Sequence, residues 1–379
     1  MTSSERQRIC IIFRGPNFDL DHFGRRLEAL SSRLEGICIM GFTEDTVRTY
    51  GNFTVHTTRW ASGIGFTLRH LWRVLRIARA ERSRAHRVSV CVSADPLKGG
   101  LFALLASRVI GAAFAPEVNG DFAHPANYMD GESGLKARIK RRVMMAVGRF
   151  VLKRADGARI LYPQQLDFMR PHMDGKAVHH VFEYVDLAPF RNLGEEKVVL
   201  FAGFPFFLKG VDLLIEAFKR VAPNHPDWKL KILGWFPDTR VMNALIGGHA
   251  QISHHAAVSH GEMPQHMGRS GIFVLPSRTE AMGRVLLEAM AAEKPRIGSN
   301  VGGIPTVIED GKDGLLFESG DVDALAERLE RLMSDAALRR ELGSAAHRRM
   351  LAEFTLERYL DRICAFYADA AARRPPSSS

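Results

Sequence analysis

Two carboxylates, Glu280 and Glu288, stand eight residues apart in the stretch FVLPSRTEAMGRVLLEAMAAEKPRIGSNVGG, residues 273–303. A short apolar run, Ile272–Leu275, reads as a strand. It passes through Pro276-Ser277 into a loop, and a helical pattern begins at about Arg284. The first turn of a helix leaves backbone N–H groups without partners, and small residues let a phosphate approach the chain there. Carboxylates suit vicinal diols, because each oxygen accepts a separate O–H. Were the stretch helical throughout, the two side chains would lie about 12 Å apart along the axis and roughly 80° apart around it. That reach suits a ligand with sugar hydroxyls at one end, a ribose at the other and phosphates between, as in a nucleotide-sugar. The ordinary alternative is a helix with a glutamate in its first turn, favoured by the dipole.

Other reactive side chains carry less. His254, His255, His260 and His266 fall within thirteen residues, but their spacing matches neither HExxH nor a zinc finger, so no metal site is expected. None of the four cysteines, Cys10, Cys38, Cys91 and Cys364, forms a CxxC pair. Three sit in short β-like runs and read as small core side chains of a protein in a reducing cytoplasm.

The elements that must position these residues alternate. Ile9–Phe13, Gly36–Gly41, Phe53–His56, Val88–Val92, Ala112–Val118 and Ala158–Leu161 read as strands. Helical patterns over Phe23–Leu34, Thr67–Arg84, Leu101–Ile110 and Leu135–Lys153 lie between several of them. After about residue 195 a second series begins. Its strands are Lys197–Ala202, Lys229–Leu233, Gly271–Leu275, Pro295–Gly298 and Gly314–Phe317, and its helices are Val211–Val221, Val285–Ala292 and Val322–Met333. Strand–helix alternation predicts parallel sheets with crossover helices, here built twice, with ligands at the carboxyl ends of the strands. Asp186–Glu196, with Pro189 and Gly194, reads as a linker. The 379 residues fit two domains, and 46% apolar with 25% charged residues is ordinary globular composition. No apolar run is long enough to span a membrane. The first, Ile9–Phe13, is too short for a signal peptide. The net charge of +10 favours anionic partners.

The motifs are further spread along the chain. Besides Pro276-Ser277, Glu280, Gly283 and Glu288–Ala291, they include Lys294-Pro295, GGIP at 302–305 and EDGKDGLLF at 309–317. Upstream stand KGVDLLIEAF at 209–218 and, more weakly, Asp95-Pro96 with Gly99 or Gly100, EVNGDF at 117–122, Ala155-Asp156 and VDLAPF at 185–190. Together they resemble the retaining glycosyltransferases of family 4 (glycosyl transferases group 1), which have the GT-B fold. The resemblance is strong over about 195–335 and weaker but collinear before it.

The resemblance implies an α/β protein of two Rossmann-like, doubly wound domains facing across a cleft. Residues 1–188 would bind the acceptor and 189–354 the nucleotide-sugar. A helix over about 355–372 would pack back on the first domain, and 373–379 would be a disordered tail. It assigns Glu280 to the donor sugar's hydroxyls, Glu288 to the ribose, and the backbone of Ala281, Met282 and Gly283 to the sugar and phosphates. Lys209 would neutralise the diphosphate and stabilise it as it leaves. Where relatives place an arginine five residues before that lysine, this chain has Phe204, after Gly203 on the donor side of the same loop. Arg284 could supply the charge instead, or could pack on the helix surface. Asn119 stands where many relatives have histidine, so it can bond a hydroxyl but not shuttle a proton near neutral pH. Asp121 could orient the acceptor hydroxyl, or cap its own loop as an Asx-turn.

The activity so implied is metal-independent transfer, with retention, from a UDP- or GDP-sugar to a glycan or lipid-linked acceptor. It needs no cofactor beyond the donor substrate and belongs to polysaccharide or lipopolysaccharide synthesis. Leu135–Arg154 has eight Lys or Arg, and Leu68–Arg87 has seven arginines and two histidines. Basic stretches with interleaved apolar residues suit an anionic inner-membrane face reached from the cytoplasm. No nucleic-acid motif accompanies them. A dinucleotide-dependent oxidoreductase would need GxGxxG after the first strand, where Gly15 stands alone. The remaining alternative is a non-catalytic sugar-nucleotide-binding subunit of a glycan-synthesis complex.

Overall fold

Ile9, Cys10, Ile11 and Ile12 are all buried, as consecutive residues of a strand covered on both faces must be. They lie in β1 (Gln7–Pro16), the core strand of the first of two compact units. The structure is a computed structural model and describes residues 6–16, 20–122, 124, 135–236 and 238–374. One unit comprises residues 1–184 with 356–379, the other 185–355. The division thus falls at 184/185 rather than at 188/189.

In the first unit, β1 is followed by α1 (Leu20–Leu30), β2 (Leu34–Phe42), β3 (Val47–Tyr50), β4 (Phe53–Arg59), α2 (Ile64–Arg82), β5 (Val90–Ser93), α3 (Lys98–Ile110) and β6 (Ala113–Pro116). Then come α4 (Leu135–Arg154), β7 (Gly157–Ile160), a 3-10 stretch (Pro163–His172) and β8 (Ala177–His180). The sheet order is β3-β4-β2-β1-β5-β6, parallel except for the β3–β4 pair. A bridge between Glu117 and Arg159 joins β6 to the parallel pair β7–β8. Leu34, expected at a helix end, instead opens β2. Ser31 bonds its hydroxyl to the Leu27 carbonyl at 2.8 Å and accepts from the Asn52 N–H, and this turn stops α1 first. Cys10, Cys38 and Cys91 are buried and unbridged, and Cys364 is half-buried with burial pushing its thiol up to about 11.

The second unit runs β9 (Val198–Ala202), α5 (Val211–Val221), β10 (Lys229–Leu233), α6 (Thr239–Ile246), β11 (Ile252–His255), α7 (Met263–Arg269), β12 (Ile272–Leu275) and α8 (Arg284–Ala291). It continues through β13 (Arg296–Ser299), α9 (Ile304–Val307), β14 (Leu315–Phe317), α10 (Val322–Ser334) and α11 (Ala336–Glu353). Its sheet, β11-β10-β9-β12-β13-β14, is parallel throughout. The order reverses beside β9, the switch point at which ligands of such sheets bind. The stretch expected as a free linker is largely tied down within this unit. Lys294 Nζ donates to the Asn192 side chain at 3.0 Å and to the Gly194 carbonyl at 2.6 Å, and Arg339 pairs with Glu195.

The chain returns to the first unit in α12 (Leu356–Ala372), which touches β5, β6, β7 and β8. Tyr359 and Tyr367 of this helix are buried against Glu117. Arg26 binds both oxygens of Glu117 at 2.8 and 2.9 Å, Arg159 binds one at 3.0 Å, and the Tyr367 hydroxyl donates at 2.5 Å. Burial alone would raise the Glu117 carboxyl, but the two guanidiniums and the phenol hold it down at about 2. Arg373 and Arg374, expected in the tail, form a turn after α12, with Arg373 bonded to the Gly175 carbonyl. Residues 375–379 lie outside the described residues. Among the described residues no helix is long and apolar enough to cross a membrane.

Candidate active site

The site is built where β9 and β12 hand the chain to their loops. After β9, residues 203–210 turn tightly: the N–H of Lys209 bonds the Pro205 carbonyl at 3.0 Å and that of Gly210 bonds Phe207 at 3.2 Å. Gly210 has φ +69°, and a Cβ there would lie 1.9 Å from the Pro276 carbonyl oxygen. Only glycine lets this loop press against the one after β12. Arg278 fastens the two loops together. Its N–H bonds the Leu208 carbonyl at 2.8 Å, and its guanidinium reaches both Asp212 oxygens at 2.8 and 2.6 Å and lies 4.3 Å from the Phe207 ring.

Held in this way, Lys209 Nζ meets Glu280 Oε2 at 2.5 Å, and the Ser277 hydroxyl donates to the same oxygen at 3.3 Å. Both charged side chains are mostly buried. The Glu280 loop is backed by GGIP: the Gly303 N–H bonds the Glu280 carbonyl at 3.2 Å. Gly302 has φ +52°, and a Cβ there would fall 1.9 Å from that carbonyl oxygen. The close approach of two backbones is the physical content of this pair of glycines.

The helix begins only at Arg284, with Gly283 left-handed before it. Glu280 is therefore a loop residue, and the two glutamates do not share one helical face. Glu288 lies within α8 and is 8% exposed. Burial pushes its carboxyl up to about 7, while the nearby Arg284 guanidinium pulls it down. Arg284 thus lies close enough to act electrostatically on Glu288.

Phe204 and Trp235 stand at the carboxyl ends of β9 and β10, 49% and 56% exposed. Their rings meet edge-on at 5.1 Å. Beneath them Phe206 stacks on Phe236 at 4.9 Å. Gly203 bonds its N–H to the Leu233 carbonyl, which fixes the start of the loop. The Lys209 loop therefore borders on an aromatic face. Of the histidines, His254 Nε2 lies 3.1 Å from the Gly234 carbonyl, and His266 Nδ1 lies 3.1 Å from Lys231 Nζ in a pocket that His255 also lines.

Residues 187–349 match the family model described as glycosyl transferases group 1. The match lies within the second unit and its approach, and there the chain is similar to this family. An exopolysaccharide phosphotransferase of Streptomyces coelicolor is 41% identical over 145 residues, 37% of this chain but only 15% of that protein. An alpha-D-kanosaminyltransferase of Streptomyces kanamyceticus is 25% identical over 280 residues, 70% of this chain and 72% of the relative. Sucrose-phosphate synthase from Thermosynechococcus elongatus superposes with a TM-score of 0.78 at 18% identity, over 97% of this chain and all of that one. That likeness is one of fold, GT-B, with two Rossmann-like domains.

Asn119 and Asp121 belong to the first unit, and the two glutamates and Lys209 to the second. The Asn119 side-chain oxygen accepts from Arg159, which also holds Glu117. Asp121 adds to the burial that pushes the Tyr162 phenol up, and its carbonyl accepts the His124 N–H at 3.2 Å, closing a turn. Sequence reasoning overlooked the Arg278–Asp212 clamp and Trp235. Asp212 lies inside the quoted KGVDLLIEAF motif, and Gly234-Trp235 directly follows an apolar strand. Those were the available signals.

Proposed function

We propose that this chain is a retaining glycosyltransferase. It moves a sugar from a UDP- or GDP-sugar to a glycan or lipid-linked acceptor in polysaccharide or lipopolysaccharide synthesis, at the cytoplasmic face of an anionic membrane. The observation that carries the reading is the Lys209–Glu280 contact beside the start of α8. A cation and a carboxylate are held at one point, where a diphosphate and a sugar would meet.

On binding, Glu280 exchanges its lysine for donor-sugar hydroxyls, and Lys209 turns to the diphosphate. Glu288 accepts from the ribose hydroxyls. The backbone of Ala281, Met282 and Gly283 and the first turn of α8 face the phosphates. The bond from the anomeric carbon to the diphosphate oxygen breaks as the acceptor oxygen bonds the same carbon from the same face. The acceptor's proton passes to a phosphate oxygen of the leaving group. Lysine and helix-terminal amides supply the positive field a metal would otherwise provide. Arg284 takes the place of the cation that Phe204 lacks. Asn119 and Asp121 contact the acceptor side.

A thermal-shift panel of nucleotide-sugars, followed by Glu288→Ala, tests this reading. The wild type is expected to be stabilised by one nucleotide series and the variant to lose that shift. An equal shift in the variant would remove the ribose assignment. Release of nucleoside diphosphate only when donor and acceptor are both present separates an enzyme from a binding subunit.

A further inference from the structure

The helices α2, α3 and α4 form one layer of the first unit, with α3 in contact with both neighbours. Their inward residues are those a sheet-packing helix needs: Phe66, His70, Val74 and Ala78 on α2, and Ala137, Gly148, Val151 and Leu152 on α4. Their outward residues are not those of a solvated surface. On α2, Ile64, Leu68 and Trp72 recur every four residues and are exposed, Ile64 by 78%. On α4, Leu135, Ile139 and Val143 repeat the same spacing and are exposed, Leu135 by 73%. Leu105 of α3 is exposed as well, and Trp60 stands exposed just ahead of α2. Contiguous apolar exposure of this kind marks an interaction site.

The charge on this layer has one sign. Across α2, α3 and α4 the only acidic residue is Glu81, which is buried and paired with Arg8 and Arg84. Arginines and lysines flank the apolar stripes, among them Arg69 and Arg76 on α2 and Arg138 and Arg142 on α4. Arg76 lies 4.8 Å from the Trp72 ring and Arg154 3.7 Å from the Phe150 ring. An apolar ridge fringed with cations and bounded by tryptophan matches the boundary between lipid headgroups and acyl chains.

We infer that the outward face of the α2–α3–α4 layer, led by Ile64, Leu68, Trp72 and Ile139, seats this protein on an anionic lipid bilayer. Crossover helices run back against their parallel strands, so α2 and α4 both start at the carboxyl ends of the strands. Both stripes fill the first halves of their helices. The bilayer therefore meets the first unit at the strand end that carries Asn119 and Asp121. The inference builds on the lipid-linked acceptor proposed above and names the surface that would meet it.

Flotation of the whole chain with vesicles tests it. The wild type is expected to float with phosphatidylglycerol–phosphatidylcholine vesicles at low salt, and to be released by high salt. Neutral phosphatidylcholine vesicles should bind it about tenfold less or worse, as expected for several basic contacts. Leu68→Ser with Trp72→Ser, or Arg76→Glu with Arg138→Glu, should each lower binding by about tenfold. Both pairs are surface changes, and an unaltered thermal transition shows that the fold persists. No flotation of the wild type, or equal binding by the folded variants, would overturn the inference. So would a wild-type dimer that Leu68→Ser with Trp72→Ser converts to monomer, since the face would then belong to a second copy. Nucleoside diphosphate release with a soluble acceptor reports on the transferase reading independently. Transfer without vesicle binding sinks only the membrane face, and vesicle binding without any transfer sinks only the enzyme.

Discussion

Glu288 titrates against the habit of its residue type. Its ordinary value is 4.5 and its folded value about 7, with burial as the cause. Between those two values the folded chain binds the extra proton, so stability falls as pH rises through the interval and stays lower above it. Glu288→Gln is therefore expected to melt higher than the wild type at pH 8, by up to about 3 kcal/mol, with the gap closed at pH 4.5. Calorimetry across that range checks it, and a gap that does not change with pH would refute the buried-acid account. Ribose hydroxyls bond best to the ionised carboxylate. Nucleotide affinity should therefore improve from pH 5.5 to 8, with proton release on binding measurable by titration calorimetry in two buffers. Lys209 and Glu280 are coupled differently. Lys209→Met and Glu280→Gln should be non-additive by roughly 0.5–3 kcal/mol in a stability cycle. Each alone should cut transfer by about a hundredfold or more. Additive stabilities would mean that the 2.5 Å contact does not persist in solution.

The glycines at the loop junctions set the geometry of the elements. Gly302→Ala would place a methyl 1.9 Å from the Glu280 carbonyl oxygen at φ +52°. A loss of about 2 kcal/mol or more is expected, with a larger loss in donor binding than Gly311→Ala gives, since a methyl at Gly311, also at positive φ, would meet nothing within 4 Å. Denaturant titration and a donor-binding assay read the two effects. Much at this scale could be read in advance. Ile9–Phe13, Lys197–Ala202 and Ile272–Leu275 announce strands because a parallel strand buried on both faces is apolar throughout. By the same reasoning β3, β8 and β11 escaped notice: VRTY, AVHH and ISHH are half polar, because each lies at the edge of its sheet. The segments α6 and α7 are only eight and seven residues long and, unlike the equally short α8, bury only one and two residues respectively, which leaves little apolar pattern to read. In the site, Lys209, Glu280 and Glu288 could be singled out because each stands within a short motif of its own stretch, but the contact of Lys209 with Glu280, 71 residues on, could not. The Arg278–Asp212 clamp joins residues 66 apart, and no spacing rule reports that.

At the scale of the whole molecule, the first unit is made of two pieces of chain that meet at Glu117. The carboxyl is held near 2, against an ordinary 4.5. Its contribution is complete above pH 4.5 and is lost as pH falls towards 2. The first unit should therefore show an acid transition in that window. Glu117→Gln should weaken this transition and cost about 3–5 kcal/mol at neutral pH, because Arg159 would be left buried with less than its full complement. Tyr367→Phe removes one donor and should cost about 1–3 kcal/mol. Fluorescence-monitored acid titration of these variants is the check. Glu117 and Tyr367 are 250 residues apart in the chain. On a ribosome adding roughly 5–20 residues per second, Glu117 and its two arginines emerge tens of seconds before the tyrosines that complete their shell. The uninterrupted segment 185–355 can close in the meantime. The unit begun first is thus the last to finish folding. A released fragment ending at residue 355 should be open to protease over residues 1–184 while 185–355 is already resistant.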